Sequence, residues 1–558
     1  MAPAGRAGRQ PGEREMAEQR SGRWTRRAIV GATASGMLAI RSGVASAQPS
    51  TTLVVALGSS PTDLDPQSAF EERSALIVGA LYEPLIRYAG ASTDQFEGVL
   101  AESWSSNPDQ SVWTFRLRQG IRFEDGSPCD AAAVKASFVR LFTLGLGPAT
   151  ELARFLTSAE QIATPDERTV VFNLGRPQPS FEQCVGAGYG AAICNAAALR
   201  IHDVDGDWGH EWAVTNAGGA GTGRYRLLEY LPEDRTVLER NASYWRGWED
   251  DQFERVIVRV VPEESSRRQL LESGGADIVD TLTPEAIEQL RTLPTLVVDS
   301  NPTTGVWYVI MTVDGPLASP VARRALCHAF PIDEVREGVY GPTLGPTTGG
   351  VAPVTNGYDP STPVLSYDPE LARSLLAEAD VAEGTVLSGM VSADNESSVV
   401  TMQLLQAALA EVGIELEIEQ VAGSTVTDIL FRDADPAEQP DLILTNWWPA
   451  YNDAWNHLQP QILCSAARGG GANAGGYCSP EVDKLMNRAR DAVDRAEYLT
   501  AIGEVQRIIA NEDPPAIYFG QVMWTTVRQA SVEGFGANPV YIGVYDFWSL
   551  RRAAGSGS

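Results

Sequence analysis

Lysine is almost missing from this chain: only Lys135 and Lys484 occur in 558 residues, so nearly all positive charge is guanidinium. A phosphate-cradling GxxxxGK loop is thereby excluded. Basic charge is scarce altogether, with 43 Lys and Arg against 72 Asp and Glu and a formal charge of −29. Eight of the arginines fall in the first 47 residues, so the remainder is more acidic still. Nucleic acid, whose phosphates need a basic face, is not an expected partner. A solvated acidic surface that keeps a secreted protein dispersed is the plainer reading. The four histidines, His202, His210, His328 and His457, form no HExxH or i,i+4 pair, which removes the zinc-protease pattern. There is no GxSxG elbow. The acidic run Asp203-Val204-Asp205-Gly206-Asp207 with Glu211 lacks the EF-hand order and reads as a turn. The glycines at 218 to 223 open no helix after a strand, so no dinucleotide fingerprint is present. Neither a cofactor nor a metal is expected. After the first 47 residues no uninterrupted apolar run reaches the 18 or so residues that span a bilayer.

What is present begins with an address. Arg26-Arg27 enter the mildly apolar run Ala28 to Ile40, and Ala45-Ser46-Ala47 closes it as an A-x-A cleavage site. This predicts a twin-arginine signal over residues 1–47 and a periplasmic destination; Met16 offers a start with an n-region of ordinary length. Export permits disulfides among the six cysteines, for which sequence allows fifteen full pairings. Cys464 and Cys478 bracket the Gly-rich ARGGGANAGGY, and Cys184 and Cys194 bracket VGAGYGAAI. A bridge across each loop is expected, the first more firmly, because closing a flexible loop removes chain entropy. Cys129 and Cys327 remain as core thiols.

Along the rest, strand patterns alternate with helical ones. TTLVVAL reads as a buried strand and SALIVGALYEPL as a helix closed by Pro84. Asp130 caps a helix over AAAVKASFVRLF, and TVVFNL, ERVIVRVV, IELEIEQV and DLILTNWW read as strands. Such alternation predicts an α/β fold with mixed sheets, in which ligands sit beyond strand ends. The stretch TNWWPAYNDAWNHL, residues 445 to 458, sets Trp447, Trp448, Tyr451 and Trp455 at such an end. An aromatic wall for a flat or apolar ligand competes there with ordinary core packing.

Taken in order, several motifs resemble the solute-binding proteins of bacterial peptide/nickel-type ABC importers, extracellular solute-binding family 5. They are Leu64-Asp65-Pro66, Leu81-Tyr82-Glu83-Pro84-Leu85, the stretch Leu117 to Pro128, Gly221-Thr222-Gly223-Arg224-Tyr225, Leu238 to Trp245 and Tyr367-Asp368-Pro369. Departures are Glu124 where the family often has His, Arg224 where it often has Pro, and Thr312 where it often has Asn; all three read as scaffold. The resemblance implies a two-lobed, hinge-bending periplasmic-binding-protein fold with an extra inserted domain. The expected divisions are 48–89, 213–309 and 521–558 for lobe I, 90–212 for the insertion and 310–520 for lobe II.

The resemblance also implies a receptor without catalysis that hands its solute to an ABC permease, and a monomer is expected. The family segment W-x-A-D-Y-x-D-P, one wall of the ligand pocket, reads here Trp447 to Ala454, with Ala450 where peptide binders hold the α-amino group by an aspartate. Expected ligand contacts are Phe70, Glu71, Arg432, Asn446, Trp447, Trp448, Tyr451 and Trp455. An aromatic wall with one guanidinium and no such carboxylate suits a modified peptide, a sugar-containing compound or an opine-like compound. Rival readings are a secreted hydrolase with unrecognised acids and a sensor that feeds no permease.

Overall fold

The structure, a computed structural model, describes residues 51–189, 192–364, 366–467 and 469–553; the export signal expected over residues 1–47 lies outside them. Its backbone is an 11-stranded sheet. The strands are β1 (Thr52–Leu57), β2 (Tyr225–Leu231), β3 (Arg235–Arg240), β4 (Arg255–Val260), β5 (Ile278–Asp280), β6 (Leu296–Met311), β7 (Leu344–Gly345), β8 (Thr385–Ser392), β9 (Ile414–Val421), β10 (Leu442–Trp447) and β11 (Ala516–Gln529). They lie in the order β2-β3-β4-β1-β5-β11-β6-β10-β8-β9, with β7 beside β11. β1 runs parallel to both neighbours, β4 and β5. Parallel strands are covered on both faces, which is why Leu53, Val55, Ala56 and Leu57 are fully buried.

Two long strands cross the middle of this sheet and divide it into lobes. The first part of β6, Leu296–Pro302, pairs with Met523–Gln529 beside β5; its second part, Val306–Ile310, pairs with Ala516–Gln521 beside β10. Between them the register breaks. There the Thr303 hydroxyl donates to Val522 O (2.8 Å) and Gln521 Nε2 donates to Thr303 O (2.7 Å). The sequence LVVDSNPTTGVWYVIM hides this strand, because Asn-Pro-Thr-Thr-Gly in its centre reads as a turn. Each lobe has its own apolar cores: around Leu76, Leu238 and Ile278 in the first, and around Leu326, Leu405 and Phe519 in the second.

A third body is inserted in the first lobe. The strands Ala101–Ser106, Val112–Leu117, Ile162–Asp166 and Thr169–Asn173 form a separate four-stranded sheet. Helix α1 (Glu72–Leu81) precedes it, and helix α2 (Ala131–Leu144) packs on it. Asp130 caps α2 by accepting from Ala133 N (2.9 Å), as its sequence predicts. Phe115, Phe138, Phe172 and Phe181 meet edge-on or tilted at 5.2–5.5 Å to form its core. A buried pair ties this body to the first lobe: Arg140 Nη2 is 2.6 Å from Asp65 Oδ2, with both side chains fully buried. His210 Nδ1 joins the same carboxylate at 3.0 Å.

Cys464 and Cys478 are joined as a disulfide. The bridge expected between Cys184 and Cys194 is absent, and both are buried free thiols. They face different cores: Cys184 packs among the phenylalanines of the inserted body, whereas Cys194 sits in the first-lobe core, 3.5 Å from the Ser137 hydroxyl. Cys129 and Cys327 are free and buried.

Candidate functional site

The aromatic segment after β10 divides into two parts with different fates. Its second part locks the second lobe onto the inserted body. Asp453 caps helix α3 (Ala454–Ile462), accepting from Trp455 N (2.8 Å) and Asn456 N (3.3 Å). Tyr498 donates to the same capping oxygen, Oδ1, at 2.9 Å, and the other oxygen, Oδ2, accepts from the Ser180 hydroxyl of the inserted body at 3.0 Å. Burial pushes the Asp453 carboxyl up, and these hydrogen bonds pull against that. Asn452 Nδ2 donates to Thr93 O (2.8 Å), and Asn456 Nδ2 to Glu151 Oε2 (3.0 Å). Tyr451 is 3% exposed and enters the core of the inserted body, 5.6 Å from Phe155. Trp455 donates from Nε1 to Met486 O (2.9 Å) and carries the Arg154 guanidinium over its ring.

Two expected ligand contacts are thus engaged in a clasp between the lobes, Tyr451 beside Phe155 and Trp455 against Met486 and Arg154, and both also line a small recess between Arg154 and Tyr498. Immediately beyond, His457 is fully buried with neither ring nitrogen partnered, and burial pushes its pKa down to about 3.

The first part of the segment is free of that clasp. Trp447 ends β10 half-buried, 6.2 Å from the exposed Phe431, and its Nε1 has no partner. Trp448 is also half-buried, and Asn446 is held opposite Trp307 in the ladder. Arg432 is exposed and turned onto its own loop, donating to Glu438 O (3.2 Å) and Gln439 Oε1 (3.1 Å). In the first lobe, Phe70 is 45% exposed and lies edge-on to Tyr189 at 5.0 Å. Glu71 caps α1, one oxygen accepting from Arg73 N (2.7 Å) and the other from Ser74 N (2.6 Å). Among the described residues no hydrogen bond, ion pair or ring contact joins Phe70 or Glu71 to Trp447, Trp448 or Arg432.

A cavity of about 380 Å³ lies in the first lobe, between α1, the loop at 87–91, Ala187 to Tyr189 with Ala192, and the C-terminal stretch 534–549. Its walls are mostly small or aromatic: Ala75, Val78 and Gly79 from α1, with Tyr189 and Tyr541 opposite. Among the described residues its only charged lining groups are Arg87, Arg224 and Asp546. Asp546 stands between the two arginines, 3.2 Å from Arg87 Nη1 and 3.3 Å from Arg224 Nε. Burial would raise the Asp546 carboxyl, but the two guanidiniums hold it below the usual range. Sequence reasoning missed this site. Its one signal was Arg224 itself, a charge where the Gly-Thr-Gly motif of the resembled family often continues with proline.

The histidines offer no relay. His202 stacks on Trp212 at 3.8 Å, and His328 Nδ1 meets Ser366 O at 2.9 Å. Ser68, His210 and Asp65 do converge, but the serine (3.4 Å) and the aspartate (3.0 Å) both meet Nδ1. A proton cannot pass through the ring when both partners share one nitrogen. Among the described residues no group of three His, Cys, Asp or Glu side chains is arranged to hold a metal ion, and no helix is long and apolar enough to cross a membrane.

The profile of the bacterial extracellular solute-binding proteins, family 5 Middle, matches residues 95–468. The probable D,D-dipeptide-binding periplasmic protein DdpA of Escherichia coli K12 is 29% identical over 514 residues, covering 91% of this chain and 95% of that one. Two solved structures share the two-lobed fold. DppA of Helicobacter pylori in complex with the peptide STSA has a TM-score of 0.73 at 22% identity, covering 90% of this chain and 98% of that one. MoaA of A. tumefaciens R10 in complex with mannopinic acid has a TM-score of 0.73 at 23% identity, covering 90% and 100%.

Proposed function

The chain belongs to the bacterial extracellular solute-binding proteins, family 5, the solute receptors of ABC importers, and from that premise we propose that it carries an anionic or neutral organic solute with a flat or apolar body. The solute is captured between the two lobes as they close about the β6 and β11 crossings, and is released to a membrane permease. The twin-arginine pair at Arg26-Arg27 delivers the chain to the periplasm by our reading.

One observation carries the ligand class: Ala450 stands where a carboxylate would hold a peptide's α-amino group. Its methyl packs against the inserted body, and its backbone N–H is already taken by Asn456 Oδ1 at 2.8 Å. A desolvated amine without a carboxylate loses its charge-assisted bond. Trp447 and Trp448, half-buried and outside the clasp, are the proposed stacking surface, with Phe70 the proposed counterpart in the first lobe. Replacing both Trp447 and Trp448 with alanine should weaken solute binding by about 1–3 kcal/mol per ring in a titration. Undiminished affinity would remove the aromatic wall from the account, and tight binding of unmodified dipeptides would remove the ligand class.

A further inference from the structure

We propose that the first-lobe cavity is a pocket for a carboxylate group on a small apolar or aromatic body, with the Arg224 guanidinium as its anchor. The inference goes beyond the reading of the chain as a receptor that closes on its solute: it adds a second place, inside the first lobe and lined by neither Trp447 nor Trp448, where an acid is held.

Arg224 is only 6% exposed. A guanidinium so far out of water needs its N–H groups filled. Nη1 donates to Gly79 O at 3.0 Å, but Nε, although 3.3 Å from Asp546, makes no aligned hydrogen bond to any partner. Asp546 and Glu97, the latter 2.5 Å from Arg87 Nε, balance the two arginines in charge, so what the pocket side leaves over is the unfilled Nε donor of Arg224. A planar carboxylate matches the guanidinium fork, and the dry surroundings strengthen the pairing.

The remaining surface fits an apolar body. Ala75, Val78, Ala187 and Gly188 leave space, and the Tyr189 and Tyr541 rings offer flat walls. The hydroxyl of Tyr541 is occupied by Tyr88 N (2.9 Å) and Gly186 O (2.6 Å), so its ring face is what remains. About 380 Å³ sits near the lower end of small-molecule pockets, which run from roughly 300 to 1,000 Å³. A cationic solute is disfavoured, since the one lining carboxylate is already shared. The cavity also lies against the clasp: loop residues Tyr88 and Gly90 line it, and Thr93 of the same loop accepts the Asn452 hydrogen bond.

The test is a calorimetric titration of the whole mature chain with phenylacetate, 4-phenylbutyrate and N-acetylphenylalanine, each beside its neutral primary amide. We expect at least one acid to bind tenfold or more tighter than its amide, and Arg224→Gln to erase that preference. Because a buried arginine can be needed for folding, Gly79→Leu is the second variant. A Cβ there meets only Val544 Cγ1 at 3.6 Å, on a helix that tolerates side chains, so leucine occupies the cavity without disturbing charge. It should lower acid binding at least tenfold with an unchanged melting temperature. Equal binding of acids and amides, no acid binding, or full acid binding by Gly79→Leu would each overturn the inference. If a co-purified solute binds tightly while none of the acids binds better than its amide, the pocket falls while the receptor reading stands. If no solute of any class binds, both fall.

Discussion

The clasp, which starts at Tyr451, and the open part of the aromatic segment, which ends at Trp448, are three residues apart in sequence and opposite in character. In the clasp every polar group from Asn452 to Asn456 has a partner, and Tyr451 is sealed in a core. Next to it Trp447 keeps an unpartnered Nε1, and Phe70 and Phe431 stay about half exposed. Aromatic residues alone do not separate the two roles; the company they keep does.

Substitutions can break this contrast, and the largest effect belongs to the clasp. Tyr451→Ala empties a site in the inserted body's core and should cost about 3–5 kcal/mol in denaturant unfolding. A loss confined to solute affinity, with stability intact, would move Tyr451 into the ligand wall. Next comes His457, held neutral in the fold with a pKa of about 3 against 6.5 in the unfolded chain. A group with a depressed pKa in the fold leaves the unfolded state binding more protons below pH 6.5. Stability should therefore fall by roughly 1.4 kcal/mol per pH unit as acid is added between pH 6.5 and 3. His457→Leu should flatten that limb, since apolar replacement leaves no unpartnered nitrogens. An unchanged acid limb would show that the ring meets water in the folded state.

On the open side, the Trp447→Ala/Trp448→Ala pair should reverse the clasp pattern, with affinity lost and unfolding shifted by less than about 1.5 kcal/mol because neither ring is fully buried. The smallest effect sits outside both regions. Asp65, hydrogen-bonded to His210, raises the histidine's pKa. Its contribution is complete below the unfolded pKa and fades as pH rises through the folded one. With the imidazole 28% exposed, solvent screening keeps it below about 1 kcal/mol. A His210→Gln variant should lose only this weak decline in stability above neutral pH, measured by thermal unfolding across pH 6 to 8.

Local chemistry was legible in the sequence where it is local in space. The β-branched run of β1, the Asp130 cap of α2 and the entry of β10 into the tryptophans all form where the pattern places them. Helix α1 stops at Leu81 rather than running on toward Pro84, since the chain turns extended at Tyr82. The hinge strand β6 was not legible, because its turn-forming centre is held extended by β11 from the far end of the chain. Glu71 reads as a ligand carboxylate, and in the fold it caps the open N–H groups of α1. Arg224 was visible only as a departure from proline. What makes it a candidate anchor is Asp546, which the C-terminal stretch brings to it. The likeness among pocket and core aromatics is why Tyr451 and Trp455 were read with Trp447 and Trp448.

Native mass spectrometry of the protein purified from its own periplasm tests the central claim most directly. The account predicts one bound anionic or neutral organic solute per chain, with an apolar or planar body and no free α-amino group, lost when Trp447 and Trp448 are both replaced by alanine. A bound di- or tripeptide with a free amino terminus would contradict it.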